Sequence, residues 1–214
     1  MDFPLDQEGV WCEVLRRPVP GAAALFLDRD GVVVDDIGYL CRVEDVVLIP
    51  EAAAAIAAAN ARRIAVILVT NQSGIGCNLY GWQEFADVQQ RIVTLLAAAG
   101  ATLDAVYAAP HHPEGRDAWR HADHPARKPN PGMLTRAATE FGLDLKRSWM
   151  IGDKSSDVAA ARRAGLGGAL HVLTGHGAAE RQRLAAMAGD GFELRFGASI
   201  ADALSLPILS TAAA

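Results

Sequence analysis

Short apolar runs alternate along the chain with longer stretches that have the spacing of amphipathic or alanine-rich helices. The apolar runs predict buried strands at 22–27, 64–69, 103–109, 149–151 and 169–173. The intervening stretches predict helices at 51–63, from Trp82 to about Gly100, from Pro131 with Asn130 as its cap, at 155–164 and near 178–187, followed by a minor strand and helix. Because strands that alternate with helices form parallel sheets covered on both faces, the pattern predicts an α/β fold, a three-layer sandwich with a mostly parallel central sheet.

A single domain is predicted for residues 22–214, since no internal repeat or linker-like stretch interrupts this pattern. Residues 1–21 are predicted to form an N-terminal arm ahead of it. No apolar run approaches the ~20 residues that a membrane helix requires, and the first residues lack the segments of a secretory signal. The three scattered cysteines do not form a disulfide framework, so we expect a cytoplasmic protein that does not bind membranes.

The charge balance restricts the partners of the chain. Its formal net charge of −5 argues against a nucleic-acid surface, which normally carries a basic patch or stripe. A small phosphorylated substrate remains compatible with this charge, because a few local cations and a metal ion can override a mildly acidic exterior. The sequence carries no indication of the oligomeric state.

Four polar motifs lie directly after a predicted strand or at the start of a predicted helix. Asp-Arg-Asp-Gly at 28–31 follows the first strand, and Thr-Asn-Gln-Ser-Gly at 70–74 follows the second. Arg-Lys-Pro at 127–129 precedes a helix, and Asp153 and Asp157 flank the start of another. Each motif alone is compatible with a turn or a helix cap. Because ligands of parallel sheets bind at the carboxyl ends of the strands, the four together predict one site.

In this order the motifs resemble those of the haloacid dehalogenase superfamily, over about residues 22–175. The resemblance implies a Rossmann-like, phosphate-transferring enzyme that forms an aspartyl phosphate and depends on Mg²⁺. Asp28 would then be the nucleophile and Asp30 the general acid and base. Thr70 and Lys128 would hold the equatorial phosphoryl oxygens.

The same resemblance implies the ligands of the metal. Mg²⁺ would be held by Asp28, the backbone carbonyl of Asp30 and Asp153, with Asp157 orienting this set from behind. The stretch between Asp30 and Glu51 is too short for a folded cap. The capless type of haloacid dehalogenase fold is therefore expected.

Longer stretches narrow the resemblance to the D-glycero-D-manno-heptose 1,7-bisphosphate 7-phosphatases and, less closely, to the histidinol-phosphate phosphatases. These stretches are FLDRDG at 26–31, DIGY at 36–39, TNQSGIG at 70–76, PHHPEG at 110–115 and RKPNPGM at 127–133. By that resemblance, substrate contacts are expected from Asp36, Ile37, Gly38, Tyr39, Asn71, Gln72, Ser73 and Arg127. Three alternatives stay open: another sugar phosphate or a nucleotide-like monoester as substrate, histidinol phosphate as substrate, or a catalytically silent phosphate-binding domain.

A long irregular loop rich in His, Pro and charge runs from Pro110 to Pro131. Those families usually carry a structural zinc in this long loop, bound by a Cys-x-His pair and a Cys-x-Cys pair. The matching positions here hold Ala109, His111, His124 and Ala126, and alanine cannot bind a metal. Zinc is therefore not expected, since a structural zinc site almost always has four ligands. Three further side chains could in principle complete a different site: His112, His121 and Asp123.

Overall fold

The computed structural model describes residues 3–184, 187, 189 and 191–210. Its centre is a seven-stranded sheet of order β1-β4-β3-β2-β5-β6-β7. The strands are β1 (Trp11–Val14), β2 (Ala24–Leu27), β3 (Ala65–Asn71), β4 (Ala105–Ala109), β5 (Trp149–Gly152), β6 (Gly168–Val172) and β7 (Glu193–Gly197). The helices are α1 (Ala52–Ala61), α2 (Ser73–Gly76), α3 (Trp82–Ala98), α4 (Gly132–Phe141), α5 (Ser155–Ala164) and α6 (Gly177–Glu180).

All neighbouring strands run parallel except β1 and β4, which are antiparallel. The chain extends the sheet from β2 to β3 and β4 on one side, and then returns to the other side of β2 with β5. The carboxyl ends of β2 and β5 therefore meet at a topological switch point, where open α/β sheets bind their ligands. The predicted fold class, a mostly parallel Rossmann-like sandwich, is confirmed.

The central strands are buried on both faces, which explains why they appear as continuous apolar runs. Leu25 and Leu27 of β2 belong to the apolar layer that includes α1 and α3, whereas Phe26 belongs to the layer that includes α4 and α5. All four residues of β2 are buried. The sheet is thus the middle layer of three.

Two local predictions for the helices are wrong in detail. Asn130 does not cap α4: its side-chain Nδ2 donates to Asp123 Oδ1 at 2.6 Å and to the His124 carbonyl at 3.1 Å, and Pro131 occupies the cap position. The helix predicted near 178–187 is the short α6, followed by a 3₁₀ turn at Arg181–Leu184. Residues 185 and 186 of that prediction lie outside the described residues.

The predicted arm contributes an edge strand to the sheet. Trp11 of β1 is buried, with its ring centroid 5.0 Å from Phe85 and 5.6 Å from Trp82. The boundary of the domain at residue 21 stays a prediction.

Between Asp30 and Glu51 the only helical element is a 3₁₀ turn at Val43–Asp45. Nothing in this stretch forms a separate cap. Among the described residues, no helix has both the length and the apolar character that crossing a membrane requires.

Candidate active site

Three carboxylates converge at the switch point. Asp28 follows β2 and Asp153 follows β5, and the Asp28 N–H donates to the Ile151 carbonyl at 3.0 Å. Asp157 lies in the first turn of α5. One carboxylate oxygen from each of Asp28, Asp153 and Asp157 lies within 4.8 Å of the others, and all three residues are buried. Charges of one sign at this distance need a cation among them.

Lys128 supplies one such cation. Its Nζ lies 3.0 Å from Asp28 Oδ1 and 2.7 Å from Asp157 Oδ1, and it donates to the Val69 carbonyl at 2.8 Å. The residue is only 1% exposed. Burial alone would lower the pKa of Lys128, but the charges of Asp157 and Asp28 outweigh it and raise the pKa above its ordinary value. Lys128 therefore stays positively charged.

Asp153 keeps one oxygen without a partner. Its Oδ2 accepts the His176 N–H at 2.7 Å, whereas the buried Oδ1 has no hydrogen-bond partner within the described residues. Burial, followed by the charges of Asp28 and Asp157, raises the pKa of Asp153 to about 7. An unpaired buried carboxylate oxygen is unfavourable, and a bound cation would supply its partner.

Asp157 has both oxygens engaged by the protein. Oδ1 pairs with Lys128, and Oδ2 accepts the Lys154 N–H at 3.0 Å. Burial raises the pKa of Asp157 to about 6, although Lys128 acts in the opposite direction. Asp28 and Asp153 thus offer carboxylate ligands of the type that Mg²⁺ prefers, with Asp157 behind them. The residues fit this metal.

The turn after β2 approaches Asp153 closely because residue 31 is glycine. Gly31 has φ +81°, and a Cβ added there would lie 2.7 Å from Asp153 Oδ2. Gly175, in the loop after β6, has φ +58°, and its added Cβ would lie 2.4 Å from the same oxygen. Thr174 donates its hydroxyl to the Gly31 carbonyl. These two glycine turns enclose Asp153.

Asp30 lies outside the carboxylate cluster. Its Oδ1 accepts from Arg29 Nε at 3.1 Å and its Oδ2 from Gln72 Nε2 at 3.1 Å. Gln72 Nε2 also donates to the Thr70 hydroxyl at 2.8 Å. The structure thus connects two predicted catalytic side chains, Asp30 and Thr70, through one amide.

A pocket of about 290 Å³ opens beside Asp30. It is lined by six of the predicted substrate contacts: Asp36, Gly38, Tyr39, Asn71, Gln72 and Ser73. The other two, Ile37 and Arg127, are not among the described residues that line it. Ile37 is 54% exposed, and Arg127 donates to the His111 carbonyl at 2.8 Å.

Some of these residues are already engaged by the protein. The Asn71 amide bonds the backbone of Lys128 in both directions, donating to its carbonyl at 2.9 Å and accepting its N–H at 3.0 Å. Asn71 thereby fixes the loop that presents Lys128. The Asp36 carboxylate lies 3.2 Å from His176 Nε2 and 3.5 Å from Lys154 Nζ.

Four residues of the pocket wall were not predicted as site residues: Gly74, Tyr80, Lys154 and His176. Gly74 lies within the motif at 70–74. Lys154 directly follows Asp153 within a motif, which was a usable signal. Burial alone would lower the pKa of Lys154, but the nearby carboxylates of Asp28, Asp153 and Asp36 raise it. Tyr80 and His176 belong to no motif.

The long loop between β4 and α4 holds its histidines in a geometry that does not fit a zinc site. The rings of His111 and His124 stack with centroids 3.4 Å apart and an interplanar angle of 3°. A ring nitrogen binds a metal in the plane of its ring, so stacked rings do not point their lone pairs at one ion. Burial, then His124 and His121, lower the pKa of His111 to about 4, which keeps it neutral. The absence of zinc stays a prediction.

Comparisons with known proteins agree with this geometry. Residues 125–192 match the HAD-hydrolase-like family model. The D-glycero-beta-D-manno-heptose-1,7-bisphosphate 7-phosphatase of Mesorhizobium japonicum is 46% identical over 165 residues, which cover 76% of each chain.

Solved structures with this fold include a HAD-like phosphatase from Mesorhizobium loti, with TM-score 0.87, 39% identity and coverage of 98% of this chain and 97% of that one. Another is the D,D-heptose 1,7-bisphosphate phosphatase of B. bronchiseptica in complex with magnesium and phosphate, with TM-score 0.73, 28% identity and coverage of 84% and 94%. The chain therefore belongs to the D-glycero-D-manno-heptose 1,7-bisphosphate 7-phosphatase family of the haloacid dehalogenase superfamily.

Proposed function

We propose that the protein is a magnesium-dependent phosphatase that removes the 7-phosphate of D-glycero-D-manno-heptose 1,7-bisphosphate. The observation that carries this proposal is the arrangement at the switch point. There Asp28, Asp153 and Asp157 each place one carboxylate oxygen within 4.8 Å of the others, and the charged Lys128 pairs with Asp28 and Asp157. The named activity of the Mesorhizobium japonicum relative supports the choice of substrate.

In this mechanism Asp28 attacks phosphorus, and its hydrogen bonds support that role. Its Oδ1 is held by Lys128 and by the Arg29 N–H at 2.7 Å, while Oδ2 has no hydrogen bond among the described residues. A bond forms between an Asp28 oxygen and phosphorus as the bond from phosphorus to the sugar oxygen breaks. Mg²⁺, held by Asp28, Asp153 and the Asp30 carbonyl, would neutralise the repulsion between carboxylate and phosphate.

Asp30 moves the protons of both half-reactions. It protonates the departing sugar oxygen and then accepts a proton from the water that attacks the aspartyl phosphate. Breaking the bond between phosphorus and Asp28 releases inorganic phosphate and restores the free carboxylate. Thr70 and Lys128 stabilise the phosphoryl oxygens as negative charge spreads over them.

The pocket beside Asp30 suits a small polar substrate with a second anionic group. Lys154 and His176 lie on its wall, and Lys154 stays charged because the neighbouring carboxylates raise its pKa. A sugar bisphosphate presents such an anionic group at the end opposite the reacting phosphate. The three cysteines are free, which supports action in the cytoplasm. The sugar substrate of the Mesorhizobium japonicum relative supports a role in carbohydrate metabolism.

The test is an assay with Mg²⁺ against both anomers of the heptose 1,7-bisphosphate, histidinol phosphate and other sugar monophosphates. We expect the highest kcat/KM for one bisphosphate anomer. Asp28→Asn should abolish turnover and leave the circular dichroism spectrum unchanged, because the amide is nearly isosteric but not nucleophilic. Near-wild-type turnover by this variant would exclude Asp28 as the nucleophile. A higher kcat/KM for histidinol phosphate than for either bisphosphate anomer would show that histidinol phosphate is the substrate instead.

A further inference from the structure

Gln72 was expected to contact the substrate, yet it is only 2% exposed and both ends of its amide are bound by the protein. Its Nε2 donates to Thr70 Oγ1 at 2.8 Å and to Asp30 Oδ2 at 3.1 Å. Its Oε1 accepts from Arg29 Nη2 at 3.1 Å and from the Tyr80 hydroxyl. One amide therefore joins two side chains proposed to act on opposite parts of the phosphate ester.

The chemistry of its neighbours fixes the orientation of this amide. A guanidinium group only donates hydrogen bonds, so the oxygen of Gln72 must face Arg29. Arg29 is 1% exposed, lies over the Phe85 ring at 5.4 Å, and also places Nη2 3.0 Å from Asp30 Oδ1. Burial raises the pKa of Tyr80 to about 12, which keeps its hydroxyl protonated and able to donate.

We propose that Gln72 is a positioning residue, which sets the carboxyl of Asp30 and the hydroxyl of Thr70 for phosphoryl transfer. Arg29 and Tyr80 in turn hold its amide. The Thr70 oxygen accepts from Gln72 and so keeps its own proton for a phosphoryl oxygen. This role rests on the proposed function, because general acid catalysis by Asp30 is part of that function.

Positioning of Asp30 matters most for a leaving group that needs a proton. The sugar oxygen leaves as a strongly basic alkoxide unless Asp30 protonates it. The leaving group of 4-nitrophenyl phosphate is a phenolate that is stable without a proton at neutral pH. The value of kcat/KM depends only on the steps up to the transfer of the phosphoryl group to Asp28. The later hydrolysis of the aspartyl phosphate, in which Asp30 acts again, therefore does not affect kcat/KM.

The experiment compares kcat/KM for the heptose bisphosphate and for 4-nitrophenyl phosphate in Gln72→Met and Tyr80→Phe. Misplacement of a catalytic group by about 1 Å lowers the rate by about 10²-fold. We expect a loss of about 10²-fold for the sugar in Gln72→Met and a loss at least about tenfold smaller for the aryl ester, whose reaction still uses Thr70. Tyr80→Phe should change the sugar-to-aryl ratio in the same direction but less.

Gln89→Met is the matched control. Gln89, in α3, is also 2% exposed, and its amide has no hydrogen-bond partner among the described residues. The sugar-to-aryl ratio should therefore stay at the wild-type value. Asp30→Asn removes the general acid itself, so the change in its sugar-to-aryl ratio is the reference with which the change in Gln72→Met is compared.

Equal losses on both substrates in Gln72→Met would overturn the positioning role. If Gln72→Met does not fold, Tyr80→Phe decides, and an unchanged ratio in that variant overturns the role. Failure of the proposed function has a different signature, in which Asp28→Asn keeps turnover or Asp30→Asn shows no selective loss.

Discussion

Replacing Asp153 with asparagine should make the metal-free protein more stable while removing its activity. Asp153 is 0% exposed and offers an oxygen within 4.8 Å of oxygens of Asp28 and Asp157. Its charge opposes folding, but a bound metal needs it. The amide has nearly the same shape, removes the charge and can still accept the His176 N–H. Stability and activity should then change in opposite directions.

The size of the gain follows from the pKa of Asp153, which burial and two neighbouring charges raise from 3.8 to about 7. At about 1.4 kcal/mol per pKa unit, ionisation of the folded protein costs at most about 4 kcal/mol. Because the pKa is raised, the stability contributed by protonated Asp153 is complete below pH 3.8 and is lost as the pH rises through about 7. The amide NH₂ in place of Oδ1 lacks a partner, which costs ~1–3 kcal/mol at every pH. The net gain at pH 8 is therefore about 1–3 kcal/mol.

The assay is urea unfolding in EDTA at pH 5 and pH 8. The free energy of unfolding of Asp153→Asn, relative to wild type, should be more favourable at pH 8 than at pH 5 by about 2–3 kcal/mol. The cost of the unpartnered NH₂ cancels in this comparison. Asp144→Asn is the control, because Asp144 is a half-buried carboxylate at the surface whose pKa is lowered by its bond to Arg147. It should show no gain at pH 8.

Adding Mg²⁺ distinguishes the effect of the Asp153 charge on stability from a general effect of the substitution on folding. Added Mg²⁺ should stabilise the wild type at pH 8 and leave Asp153→Asn unchanged, because binding stabilises only a protein that has the ligand. A relative stability of Asp153→Asn that is the same at pH 5 and pH 8 would refute the argument from buried charge. Mg²⁺-dependent turnover by the variant would refute the assignment of Asp153 as a ligand.

Two further predictions concern the glycine turn and the long loop. Gly31→Ala should lower Mg²⁺ affinity in calorimetric titrations by at least about tenfold, because its Cβ would lie 2.7 Å from an oxygen of Asp153. Gly21→Ala is the control: its φ of +80° is similar to the +81° of Gly31 and an added Cβ meets nothing within 4 Å, so Mg²⁺ affinity should not change. Elemental analysis of protein purified without a His-tag should find no stoichiometric zinc, and about one zinc per chain would show that the histidines of the loop bind it in another geometry.

Local patterns were sufficient for the central elements of the fold. All four residues of β2 are buried on an interior strand, so its apolar run could have no other place in a sheet. The helix predicted at 155–164 is α5, Ser155–Ala164, and Gly165 with φ +79° ends it as a left-handed cap. In these elements the local signal and the tertiary environment favour the same conformation.

Contacts between distant parts of the chain could not be predicted from the sequence. The pairing of β1 with β4 joins segments about 90 residues apart, and nothing in either segment specifies the other. The direction of the Gln72 side chain depends on Arg29 and Asp30, which lie 43 and 42 positions away. The resemblance placed Gln72 in the right site, but only packing distinguishes a residue that faces the substrate from one that supports its neighbours.

The segment before β1 also helps to order the long loop between β4 and α4. Glu8 Oε2 lies 3.4 Å from His124 Nε2, and the Trp119 ring packs so closely over Gly9 that a Cβ there would lie 2.2 Å from it. These contacts hold the loop from one side, while the Asn71 amide fixes the backbone of Lys128 from the other. Lys128, whose charge must stay between the buried carboxylates of Asp28 and Asp157, needs a rigid support. Here protein contacts on both sides of the loop provide it.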